Sequence, residues 1–312
     1  GEFRTEWSLI SSRGSYDTLY AYRNVYSPYV FANSFSDYNI NIYHNWKADY
    51  YYRDLYFAAQ GYDNFKACDA GLDMYCNLST SNRFHTSDLY MINASVEDYI
   101  NSEEPFFAYY ITASGHLDYL KYDNEIVQKN WELVKDLPYT DRVKGYIAAN
   151  IELDKALETL VADLEAAGKL DDTVFVITSD HYPYGLTTAE INEVSDIDRD
   201  DAFELYHSDL IIWNSAMEET VTIDKVGSQP DVLPTLLNLF GIDYDSRLIV
   251  GKDLLSNSEG LVILPNRSWI TDEGRYNSVT SESFSNDGGV LDQTYIDKIN
   301  TEVDNQFTIS NL

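Results

Sequence analysis

Between Thr140 and Ala167 apolar residues return every three or four positions (Val143, Ile147, Ile151, Leu157, Leu160, Val161, Leu164), the period of a helix with one buried face, and Gly168 is placed to end it. Val174-Phe175-Val176-Ile177-Thr178 follows at once, too short for a second helix and rich in the β-branched and aromatic residues of a buried strand. A long helix feeding directly into a buried strand is half of a βαβ unit. Upstream the alternation recurs: a helix over 16–24, a connection over 29–35, a short strand from Asn39 to Tyr43, a helix from Tyr51 to Ala59 and a strand from Phe106 to Ala113. The pattern predicts an α/β fold whose doubly wound, mainly parallel sheet is flanked by helices. Downstream, Ser208 to Trp213 reads as a strand and Asp231 to Phe240 as a helix stopped by Gly241. From about residue 245 the segments become short, polar and turn-rich, which predicts a small antiparallel lobe with a final helix within 290–305. The expected division is therefore an α/β core over 1–244 and a small α+β lobe over 245–312.

Two of the predicted strands end in residues that can do chemistry. The run 174–178 is followed by Ser179-Asp180-His181, a carboxylate and an imidazole at a strand's C-terminal end, where open α/β sheets place ligands. Both are ligands for a cation such as Zn or Mn. The run from Pro105 leads through Ala113-Ser114-Gly115 to His116, repeating the design. Taken singly, each could be a surface turn with an incidental histidine.

Further upstream, His44-Asn45-Trp46-Lys47-Ala48-Asp49-Tyr50-Tyr51-Tyr52-Arg53 precedes Gly61-Tyr62-Asp63-Asn64-Phe65. With these blocks, in this order before the His116 and Asp180-His181 strands, the chain resembles the extracellular catalytic domain of the lipoteichoic acid synthases, a sulfatase-like branch of the alkaline phosphatase superfamily. Asp231 to Gly241, Gly251-Lys252-Asp253-Leu254-Leu255 and Ile270-Thr271-Asp272 extend the resemblance over nearly the whole chain.

The resemblance implies a metal-dependent phosphoglycerol transferase, moving glycerol phosphate from phosphatidylglycerol to a cell-envelope polymer or glycolipid with one Mn or Mg ion. It assigns the metal to Asp180 and His181, a leaving-group or phosphate contact to His116, and substrate contacts to His44, Arg53 and Tyr51, the last falling where the family usually carries Trp. Arg53 could instead be a surface helix residue paired with Asp54, and Tyr50-Tyr51-Tyr52 could line a glycerol-binding cleft or be packing. His85 and His207 match no block of the family.

At the front the chain departs from the pattern. Glu6-Trp7 align with the end of the family's nucleophile segment, Thr-x-x-x-Glu-aromatic, so Glu2 stands where the nucleophilic Thr is expected. Thr5 is a poor substitute, since a shift of three helical residues turns a side chain by about 300°. An earlier strand that supplies an acidic ligand has no counterpart, and filling its place calls for another segment or a second copy of the chain, a homo-oligomer. With no run of about 18 apolar residues, the chain reads as an excised or truncated ectodomain whose family membrane helices precede it, from the outer face of a bacterial cytoplasmic membrane. Such a piece is expected to bind the cation weakly, and the alternative class is a non-catalytic relative or binding fragment. A sulfatase or phosphoethanolamine transferase is a more distant alternative, because the Cys/Ser-x-Pro-x-Arg stretch of a sulfatase is missing.

Composition fits an exported domain. With 52 acidic against 21 basic residues the net charge is −31, which repels polyanions and excludes a nucleic-acid partner. Cys68 and Cys76 could close a short loop by a disulfide outside the cell or stay as thiols.

Overall fold

Strand β1 (Asn39–His44) owes its place to Ile42 and Tyr43, which are buried, and to a β-branched and aromatic content that suits a pleated surface. In the computed structural model, which describes residues 29–62, 64–72 and 87–310, β1 is the middle of a parallel three-stranded sheet. Its neighbours are β2 (Asn64–Ala67) and β3 (Phe106–Ile111), with His44 opposite both Ala67 and Ile111. Parallel strands need crossover connections, and helices provide them. Helix α2 (Arg53–Ala59) lies between β1 and β2 in sequence, and α3 (Asp88–Ser95) between β2 and β3. The short helix α1 (Phe31–Ser34) comes before β1.

Beyond β3 come α4 (Glu125–Asn130) and the 26-residue α5 (Asp141–Ala166), then β4 (Phe175–Thr178), α6 (Thr188–Asn192) and β5 (Leu210–Trp213). The long helix matches the apolar period of its sequence: Leu160 and Leu164 meet Tyr43, Met91, Ile92, Tyr99 and Phe175 in one buried cluster. That cluster ties α3, α5 and β4 to the sheet. Its polar edge is satisfied, since the hydroxyl of Tyr110 lies 2.8 Å from that of Tyr99 and 2.9 Å from that of Ser95. A second cluster joins Tyr119, Val127, Val143, Ala148, Leu186 and Ile191. It anchors the loops that follow β3 and β4.

The fold class is the expected one, a parallel sheet flanked by helices with C-terminal antiparallel strands. Details differ from the sequence reading in two places. β5 pairs with β4 antiparallel, Phe175 opposite Trp213, rather than extending a parallel ladder. The helix expected from Tyr51 begins at Arg53, because Tyr51 and Tyr52 sit at φ of 55° and 57°, outside helical geometry.

The residues divide into two compact units, Phe35–Glu218 and Glu219–Leu312 with Gly1–Ser34. The elements above, apart from α1, make the first. The second holds α7 (Val232–Leu239), a four-stranded antiparallel meander of β6 (Leu261–Ile263), β7 (Trp269–Thr271), β8 (Gly274–Asn277) and β9 (Glu282–Ser285), and α8 (Gln293–Ser310). α8 runs longer than its expected range because Ile296, Ile299 and Val303 keep a buried stripe against Trp269. Trp269 also donates its indole N–H to Asn300 at 2.9 Å.

The helix expected at 16–24 lies outside the described residues, as do Glu2, Thr5, Cys76 and His85. Cys68 is disulfide-bonded. Among the described residues no helix is long and apolar enough to cross a membrane.

Candidate active site

Because β1 and β3 run parallel and in register at His44 and Ile111, the chain leaves both strands at one edge of the sheet. His44 is the last residue of β1 and is buried. Its Nδ1 lies 3.1 Å from the carbonyl of Ile111, and its Nε2 lies 3.1 Å from Nη1 of Arg53. A carbonyl only accepts and a guanidinium only donates, so Nδ1 carries the proton and Nε2 is the acceptor. The ring is thereby held as one neutral tautomer.

Arg53, 2% exposed at the start of α2, is a residue type almost never buried without partners. Besides His44, its guanidinium carbon lies 5.5 Å from the ring centre of Tyr50 and 5.4 Å from that of Tyr51. These are cation–π distances, favourable where water is excluded. The positive φ of Tyr51 and Tyr52 carries a strain of about 1–3 kcal/mol per residue, of the kind that collects at ligand clamps.

The second group is built where β3 and β4 end. After β3 the turn Ala113-Ser114-Gly115 closes with the amide of His116 donating to the carbonyl of Ala113 at 3.0 Å. His116 then meets residues of the loop after β4: its ring centre is 5.5 Å from that of His181 and its Nε2 is 2.9 Å from the hydroxyl of Tyr184. Tyr184 also packs on His181, ring centres 4.7 Å apart. His181 turns Nδ1 to the carbonyl of Tyr182 at 2.7 Å, which makes that nitrogen the donor and leaves Nε2 as the one able to ligate. That Nε2 is 3.5 Å from Oδ1 of Asp180.

Two donors about 2.0–2.2 Å from one cation stand roughly 3–3.5 Å apart. Asp180 and His181 therefore fit two positions of a cation site, and their oxygen and nitrogen donors suit Mn, Mg or Zn. Among the described residues no group of three or more His, Cys, Asp or Glu converges.

Of the residues singled out in the sequence, then, His44, Arg53 and Tyr51 form one group, and His116, Asp180 and His181 another. His207 belongs to neither: its Nδ1 is 3.9 Å from Glu204 and its carbonyl accepts from Arg199 at 2.7 Å. Tyr184 was missed by sequence reasoning, though its place three residues after His181 was a usable signal. Asp88 was missed as well. It is a fully buried carboxylate between the two strand ends, and nothing in its local sequence marks it.

Residues 34–242 match the sulfatase family model. The chain belongs to the sulfatase family. Among curated relatives, a lipoteichoic acid synthase of Staphylococcus saprophyticus is 30% identical over 185 residues, 57% of this chain and 28% of that protein. The lipoteichoic acid synthase-like YvgJ of Bacillus subtilis is 25% identical over 278 residues, 86% of this chain and 44% of that protein. This sulfatase-family chain thus spans less than half the length of either. Among solved structures, the lipoteichoic acid synthase LtaP of Listeria monocytogenes superposes with a TM-score of 0.81 at 23% identity, over 99% of this chain and 79% of that one. The phosphoglycerol transferase GacH of Streptococcus pyogenes, in complex with sn-glycerol-1-phosphate, superposes with a TM-score of 0.54 at 17% identity, over 76% of this chain and 61% of that one. At those identities the structural likenesses speak to the fold, and the resemblance to the sulfatase-like lipoteichoic acid synthases is borne out.

Proposed function

We propose that this chain is the sulfatase-like domain of a phosphoglycerol transferase of the lipoteichoic acid synthase type, acting on the glycerol phosphate headgroup of phosphatidylglycerol at the outer face of a bacterial membrane. The acceptor class is a glycerol phosphate polymer or a glycolipid. The observation that carries the reading is the convergence of His116 with the Asp180-His181 loop, from strands about 65 residues apart, at the sheet edge that also carries the buried His44–Arg53 pair. Relatives named as lipoteichoic acid synthases, and a structural neighbour described with glycerol phosphate bound, support it.

In this reading Asp180 and His181 hold a Mn or Mg ion. Such an ion lowers the pKa of a bound hydroxyl and offsets charge on phosphoryl oxygens. Arg53 offers a planar fork for two phosphoryl oxygens. Its bond to His44 and its contacts with two tyrosine rings remove the side-chain freedom that binding would otherwise cost. His116 is placed to hand a proton to a departing oxygen through Nε2, which lies 2.9 Å from the Tyr184 hydroxyl beside the Asp180-His181 loop.

Glu2 stands where the family's nucleophilic Thr is expected, which favours a second reading in which the chain as given binds substrate without turning it over. The first test is therefore binding. Titrating sn-glycerol-1-phosphate into the chain with Mn present should give saturable binding, weakened at least tenfold in Arg53→Ala, as for a charge-assisted contact of about 1.5–3 kcal/mol. No binding to the unmodified chain, or equal binding by the variant, contradicts the proposal.

A further inference from the structure

Asp88, 0% exposed, opens α3 and takes no part in the chemistry outlined above. Its Oδ1 accepts from the side-chain amide of Asn45 at 2.6 Å, from the backbone N–H of Ala113 at 2.9 Å and from that of Ser114 at 3.2 Å. Oδ2 takes a second contact from Ser114 N–H at 3.3 Å, and the amide of Asp88 itself donates to the Ser114 hydroxyl at 2.8 Å. Asn45 directly follows His44, and Ser114 lies two residues before His116.

We propose that Asp88 is a positioning residue which, through Asn45 on one side and the Ala113-Ser114 turn on the other, fixes His44 and His116 relative to each other. A carboxylate fully removed from water is retained only if several donors compensate it, and here all its compensation comes from the two segments that carry the histidines. Burial pushes its pKa up to about 6 against the lowering effect of those donors. On the packed elements, Glu152 and Lys129 are engaged with each other at 2.8 Å, and Ser87, the neighbour of Asp88 in sequence, is bonded to Glu152. A helix-capping role would not need this arrangement, because Ser87 already caps α3 by accepting from the amide of Tyr90 at 3.3 Å.

The proposed function explains why the two histidines matter, but the positioning claim is tested without it. The experiment records the imidazole ring C–H signals of His44, His116 and His207 by NMR in the unmodified chain, in Asp88→Asn, and in the swap Asp88→Asn with Asn45→Asp. The swap keeps one carboxylate and one amide across the 2.6 Å contact but moves the charge away from Ala113 and Ser114. Displaced His44 and His116 signals in Asp88→Asn, a His116 signal not restored by the swap, and an unmoved His207 are expected. Affinity for sn-glycerol-1-phosphate should fall at least tenfold in parallel. If Asp88→Asn does not fold, Asn45→Ala and Ser114→Ala take its place, the first expected to move His44 and the second His116. Unmoved ring signals in the folded variants, or full restoration of His116 by the swap, would overturn the assignment. Failure of glycerol phosphate to bind the unmodified chain bears on the proposed function alone.

Discussion

At the scale of single residues, a glycine and a carboxylate give the sharpest tests. Gly145, in the first turns of α5, lies so close to the loop after His116 that a Cβ built on it would come within 1.7 Å of the carbonyl oxygen of Tyr119. Backbone cannot give way as a side chain can. Gly145→Ala should therefore destabilise the chain by about 1–3 kcal/mol or more, despite the better helix propensity of alanine, which a urea titration followed by circular dichroism would measure. A variant as stable as the parent would mean that the loop is not packed there. For Asp88 the sign of the pH effect follows from a folded-state pKa raised from 3.8 to about 6. The folded state binds the proton more tightly than the unfolded state, so this group's contribution is fully present below about pH 4 and is lost as pH rises through about 6. The stability of the unmodified chain relative to Asp88→Asn should fall by roughly 2 kcal/mol from pH 4 to pH 7, and a flat difference would contradict the burial.

Among the elements, what sequence could reveal was governed by period and by local signals. The α5 stripe and the β4 run were legible because the burial of Leu160, Leu164 and Phe175 is written in their spacing. Asp180-His181 and His116 were legible because each follows an apolar strand. The antiparallel direction of β5 was not, since Leu210-Ile211-Ile212-Trp213 reads the same in either sense and only its pairing decides. Nor was the late start of α2, where two tyrosines of no special turn propensity adopt positive φ beside the Arg53 guanidinium. Asp88 acts through contacts across 25 positions of sequence, which no local pattern encodes, whereas Tyr184, whose contact to His116 spans 68 positions, was marked only by its place three residues after His181. An element-scale test lies at α6, whose N-cap Thr187 accepts from the amide of Glu190 while the Glu190 carboxylate accepts from the amide of Thr187. α6 steadies the loop after β4 through Ile191 in the second core cluster. Thr187→Ala should cost about 1 kcal/mol and shift the NMR signals of Tyr184. Unchanged signals would show that the helix does not support the site.

For the whole molecule, charge dominates what can be learned from a cation. A net charge of −31 draws divalent ions to the surface wherever carboxylates gather, so bulk affinity for Mn says little about Asp180 and His181. Whether the chain divides near residue 244, as its sequence suggests, or near 218, where the two compact units part, is open to limited proteolysis: first cleavage close to 244 favours the former, first cleavage close to 218 the latter, and cleavage within α5 counts against both. In the proposed function one site holds both a divalent cation and glycerol phosphate. The most direct measurement is the relaxation of the 31P signal of sn-glycerol-1-phosphate in the presence of Mn, with and without the protein. A protein-dependent enhancement, beyond that of Mn and glycerol phosphate alone, is expected, and it should disappear in both Asp180→Ala and Arg53→Ala. An enhancement that survives both substitutions, or none with the unmodified chain, would contradict the proposed function.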